Sequence, residues 1–128
     1  MARVYKVVKT IGERHFSAVI GYYNPSLQLE YLVGKPVKPE VGNCFAFESL
    51  EHAQSWKRSL SGDFAIFWAE AGSAHPITTW IPRLIYASTL KEDIRLWWSG
   101  MWKKVTGWQT APAGTVSCNW IMLKEKVA

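Results

Sequence analysis

Residues 43–69 read NCFAFESLEHAQSWKRSLSGDFAIFWA, and this stretch decides the fold class. It opens with a short apolar run (NCFAF, residues 43–47) that predicts a strand. Ser49 follows, a residue whose hydroxyl can accept from the free N–H groups at a helix start. Leu50, Ala53, Trp56 and Leu60 then recur at the spacing of one helical face. Glu51, Gln54, Lys57 and Arg58 fall on the solvent side, and Ser61-Gly62 predicts the stop. Residues 63–69 (DFAIFWA) return to β structure. A strand, a capped helix and a strand in direct succession set the pattern for the whole chain.

Toward the N-terminus, residues 3–9 (RVYKVVK) mix β-branched and aromatic residues with partial alternation and predict a strand. Gly12 marks a turn, and residues 15–20 (HFSAVI) predict its hairpin partner. Asn24-Pro25-Ser26 breaks the chain. Leu27, Leu29, Tyr31 and Val33 alternate as a third strand should. In the connection at residues 34–39, Pro36 and Pro39 are expected to exclude regular structure. Toward the C-terminus, Gly72, Pro76 and Pro82 interrupt residues 71–83, leaving a short strand at 78–81. Residues 89–101 predict a second helix, with Leu90, Ile94, Trp97 and Trp98 on one face and Lys91 and Arg95 a turn apart. Ala111 to Gly114 is a turn, and residues 115–123 (TVSCNWIML) predict one final strand. The pattern is an α+β fold: a mainly antiparallel sheet with one or two packed helices, in a single domain over residues 1–128.

Composition narrows the function classes. The chain has 128 residues, 48% of them hydrophobic and 20% charged, which is ordinary for a folded globular domain and argues against disorder. A net charge of +5 favours an anionic partner. With Lys57-Arg58 and Lys103-Lys104 as the adjacent basic pairs, it is too dispersed to demand DNA. Cys44 and Cys118 show neither CxxC nor metal-ligand spacing and read as buried free thiols. No apolar run is long enough for a membrane span, and the N-terminus lacks a signal-peptide pattern. The expected location is the cytoplasm.

Chemistry concentrates in one segment. Five of the eight tryptophans (Trp80, Trp97, Trp98, Trp102 and Trp108) lie within residues 80–108, interleaved with Arg83, Lys91, Arg95, Lys103 and Lys104. Indole faces stack on a purine-like ring while Arg and Lys pair with phosphates. Any single Trp serves equally well as core filler, but a core does not call for interleaved cations. The candidate ligand-binding residues are therefore Trp80, Arg83, Arg95, Trp97, Trp98, Trp102, Lys103 and Lys104, with Lys6, Arg14 and Lys35 next in line on the β side. No catalytic residue, metal site or cofactor is expected. His15, His52 and His75 fall in separate elements, and no serine lies in GxSxG. Glu92-Asp93 diverge on a helix, and neither a P-loop nor GxGxxG occurs. The reading is a binding protein rather than an enzyme.

The order of motifs adds to this. YKVV (Tyr5 to Val8) and SAV (Ser17 to Val19) come first. Tyr31, Val33, Gly34 and Lys35 follow, with a Pro39–Gly42 tail. FAFESLEHA (Phe45 to Ala53) and an APxGTV turn and strand (Ala111 to Val116) complete the order. It resembles the Thoeris anti-defence sponges, phage proteins that sequester a cyclic ADP-ribose isomer made by bacterial TIR-domain enzymes. The resemblance covers most of the chain, although each motif alone is unspecific. It implies binding of a cyclic nucleotide without cleavage, in the host cytoplasm if the protein is phage-encoded; it transfers no individual ligand contact. A homo-oligomer is expected, with Trp102 or Trp108 at an interface. The competing classes are a single-stranded nucleic-acid-binding module, disfavoured by the modest charge, a protein-blocking inhibitor, and a small hydrolase.

Overall fold

In a computed structural model the described residues are 2–18, 29–39, 44–77, 80–82 and 108–128, with backbone alone at 80–82 and 108–110. β1 (Ala2–Ile11) runs through the middle of the molecule. Along one edge it pairs with β6 (Phe64–Gly72) from Ala2↔Ala71 to Lys9↔Phe64. Along the other it meets β5 (Cys44–Phe47) at Tyr5↔Phe47 and then β2 (Arg14–Ser17) from Val8 to Ile11. β3 (Glu30–Tyr31) extends β2, with His15 opposite Tyr31. β5 pairs with β10 (Thr115–Cys118), β10 with β7 (His75–Pro76), and β6 with β11 (Trp120–Lys126), whose far edge takes β4 (Pro36–Val37). All these pairings are antiparallel, in the order β4-β11-β6-β1-β5-β10-β7.

The two flanks of this sheet are joined through the chain itself. β10 leads through Asn119 directly into β11, while β6 leads through Ser73 and Ala74 into β7, which pairs with β10. Both long strands therefore bend at the same corner. There the Asn119 N–H donates to Gly72 O at 2.8 Å. Ser73 adopts φ 50, and the Trp120 indole lies so close over Gly72 that a Cβ there would stand 2.2 Å from Nε1. The sheet curls round on itself, and alternation along each strand sends one set of side chains inward. Val4, Val8, Tyr31, Ala46, Ala65, Phe67, Ala69, Ile121 and Leu123 form that inner core, together with both cysteines.

The outer side is covered by α1 (Leu50–Arg58), the single helix among the described residues. Ala53 is fully buried, and Leu50, Trp56 and Leu60 pack with Val7, Phe47 and Ile66. Ser49 caps as expected: its hydroxyl accepts from the His52 N–H, and Glu51 sits in the first turn, where a negative charge suits the helix dipole.

The mainly antiparallel sheet and the strand–helix–strand unit agree with the sequence reading, and several boundaries do not. The third strand, expected from Leu27 to Val33, is β3 at Glu30–Tyr31, with Val33 already in a turn. Pro76, expected as an interruption, lies in β7. The helix ends at Arg58 rather than at Ser61-Gly62, because Ser59 turns its hydroxyl and its N–H onto Trp56 O. Pro36, expected to exclude regular structure, lies in β4; an outermost strand tolerates a proline because one of its edges needs no ladder donor. Residues 115–123 are two strands, since the Asn119 corner moves the chain from β5 to β6 as its neighbour. In place of the hairpin strand expected at 15–20, β2 ends at Ser17, where the Leu29 carbonyl and N–H meet its N–H and hydroxyl, and Ala18 bends; residues 19–20 lie outside the described residues. The second helix expected over 89–101 lies outside the described residues.

Candidate functional site

The basic and aromatic segment is bracketed by a small sheet of its own. β8 (Trp80–Pro82) and β9 (Trp108–Thr110) pair antiparallel, with Trp80 opposite Thr110 and Pro82 opposite Trp108. They form a two-stranded sheet separate from the main one. Trp80 is thus placed by its backbone at the base of the segment, directly across from the returning chain, and Trp108, the last tryptophan of the cluster, starts the return. Arg83, Arg95, Trp97, Trp98, Trp102, Lys103 and Lys104 lie outside the described residues. Neither β9 nor its pairing was legible in the sequence, because a three-residue strand shows no periodicity.

A second constellation lies inside the main sheet. Lys6 stands opposite Phe67 and between Val4 and Val8, so alternation directs it inward. Protein surrounds its ammonium, although part of the side chain still meets solvent. Nζ donates to Phe45 O at 2.6 Å and sits 5.2 Å from the centre of the Tyr31 ring, a cation–π distance. Burial holds the Lys6 amine below the usual lysine range; Cys44 and Cys118 oppose that only once ionised. Burial likewise lifts the Tyr31 phenol well above its ordinary value; its hydroxyl is hydrogen-bonded to Cys44 and Ser17. Cys44 is raised by burial, and Cys118 is pushed up to about 11 by burial. Both cysteines are free and buried, directly opposite one another on β5 and β10. Nearer the hairpin, Thr10 Oγ1 and His15 Nδ1 are 3.3 Å apart, and the imidazole meets the Phe67 ring edge-on at 4.8 Å.

The remaining candidates take structural or surface places. His52 Nδ1 is 2.7 Å from the capping Ser49 hydroxyl, and Gly114 closes over that ring at φ 79, where a Cβ would stand 2.4 Å away. His75 is exposed on β7. Arg14 forms a two-pronged pair with Glu30 at 2.8 and 2.9 Å and covers Phe16, so its charge is already matched. Lys35 is exposed in the turn before β4. Arg3 stacks over Trp68 at 4.5 Å on the outer side. Among the described residues no group of His, Cys, Asp and Glu side chains converges as metal ligands, and no helix is long and apolar enough to cross a membrane. Comparison with protein-family models, curated proteins and solved structures returned no match.

Proposed function

We propose that this chain binds and sequesters a small cyclic nucleotide, a cyclic ADP-ribose isomer, without cleaving it. The observation that carries the reading is the β8·β9 pairing. It sets the residues that flank 83–107 side by side, within the stretch 80–108 that carries five of the eight tryptophans together with Arg83, Arg95, Lys103 and Lys104. Stacking contributes about 1–3 kcal/mol per ring, and charge-assisted hydrogen bonds to the pyrophosphate about 1.5–3 kcal/mol each. Together these approach the roughly 12 kcal/mol of a nanomolar complex before association costs. The order of motifs shared with the anti-defence sponges supports the same ligand class. Assembly into a homo-oligomer, with Trp102 or Trp108 near the contact, belongs to the proposal.

The deciding experiment incubates the purified protein with the product of a TIR-domain enzyme, removes free ligand, denatures by heat and identifies what is released. Intact nucleotide at a fixed ratio to protein is the expected result. An altered product, or one protein molecule clearing many signal molecules, would make the chain an enzyme. Changing the phosphate-pairing residue among Arg83, Arg95, Lys103 and Lys104 to Ala should weaken binding by about 1.5–3 kcal/mol.

A further inference from the structure

The interior of the main sheet contains an imbalance of charge and of hydrogen-bonding capacity. An ammonium group carries three N–H donors and no acceptor. Lys6 uses one of them, on Phe45 O; it also faces the Tyr31 ring at 5.2 Å and has the thiols of Cys44 and Cys118 nearby. Tyr31 and both cysteines stay protonated at neutral pH, so none of them supplies negative charge. Among the described residues the carboxylates in ion pairs are Glu30 and Glu48, paired with Arg14 and His52, and none faces Lys6. Around this group lie Val4, Val8, Ala46, Phe67 and Val116, all apolar and buried. A positive charge in such surroundings is unfavourable unless matched. Here the cluster offers donors and a charge, with little to accept them.

We propose that Lys6 anchors a compact oxyanion, a phosphate or carboxylate group, on the inner side of the main sheet. Tyr31, Cys44 and Cys118 are buried, whereas the Lys6 side chain keeps partial contact with solvent. The oxyanion takes the N–H groups that Phe45 leaves free and supplies a negative charge that no carboxylate among the described residues brings to Lys6. This role of Lys6 does not draw on residues 80–108 and stands whether or not that segment binds nucleotide.

The test uses the full chain and two probes, inorganic phosphate and acetate, each titrated against chloride at constant ionic strength. Melting temperature and the Lys6 side-chain NMR resonances are followed together. In the wild type, at least one probe should raise the melting temperature saturably and move the Lys6 resonances. Lys6→Met should weaken that probe about tenfold or more, in proportion to the loss of a charge-assisted bond. Response to phosphate alone assigns a phosphate ligand, and response to acetate as well assigns a general oxyanion site. Equal responses in wild type and Lys6→Met, or Lys6 resonances unmoved by both probes, would overturn the proposal. The resonance readout on wild type decides the matter even if Lys6→Met folds poorly. A variant with Arg83, Lys103 and Lys104 all changed to Ala should keep the effect. Its loss there, with retention in Lys6→Met, would place the anion in the nucleotide segment and sink this inference while sparing the proposed function.

Discussion

The two sides of the main sheet are buried in different ways. Beneath α1, Val7, Phe47, Ala53 and Ile66 pack with Leu50, Trp56 and Leu60, and the Phe47 and Trp56 rings lie 5.5 Å apart in a tilted contact. The inner side is closed by curling of the sheet, and it surrounds a lysine, a tyrosine and two thiols with alanine and valine. The first arrangement contributes stability through apolar burial. The second places polar groups where each costs free energy unless it is matched. The fold thus keeps the buried cluster under α1 apolar and places these enclosed polar groups in the inner core.

The largest expected effect tests the stabilising side. Phe47→Ala removes a ring from the cluster under α1 and should cost about 3–5 kcal/mol in urea unfolding. Its folded population should keep the oxyanion response. If that response disappears while the protein is still folded, the two sides are not independent.

Substituting the inner lysine should act in the opposite direction. Lys6→Met keeps an unbranched side chain, one atom shorter, and removes a charge without a carboxylate partner among the described residues. We expect stability to rise, by about 1–4 kcal/mol if the site behaves like other buried charges replaced by apolar groups. A loss of similar size would show that the ammonium and its bond to Phe45 O hold the sheet together. A third substitution probes the local start of α1: Ser49→Ala should cost about 1 kcal/mol, measurable as a lowered urea midpoint with unchanged slope.

The smallest effect is a pH dependence in which the inner groups oppose one another. Cys118 has its ordinary value of 9.0 when unfolded and about 11 when folded. Its contribution is therefore complete below pH 9 and is lost as pH rises toward 11. Lys6 is lowered from 10.5, so it adds stability as pH climbs toward that value. Cys44 and Tyr31, also raised by burial, add to the loss, so wild-type stability should decline from pH 9 to 11 with Lys6 offsetting part of it. The decline should steepen in Lys6→Met and flatten in Cys118→Ala; identical slopes in all three proteins would show that these groups do not titrate differently on folding.

Much of the fold was legible because its signals are local. The Ser49 cap, the helical recurrence of Leu50, Ala53 and Trp56, and the alternation in β1 each arise within a few residues. The misread boundaries arose where a distant partner intervened: β11 accepting Pro36 into a strand, and Gly72 holding Asn119 at a corner. Of the candidate site, the sequence marked residues 80–108 by composition, while the β8·β9 closure depends on chain ends separated by the whole segment. Lys6 ranked only among the secondary cations, since a lone lysine in an alternating strand reads as a solvent-facing residue. No nearby residue signalled otherwise.

From the sequence alone came the mainly antiparallel α+β class, the helix and its cap, a single dense aromatic-basic segment, and the absence of familiar catalytic motifs. Alternation also determines which residues of β1 share a side. What each side meets was decided by the tertiary structure. Only when β6 and β7 bend with β10 and β11 at a common corner does the Lys6 side become an interior rather than a surface. Side-chain direction is set by the local backbone, whereas burial is set by pairing between strands far apart in the chain.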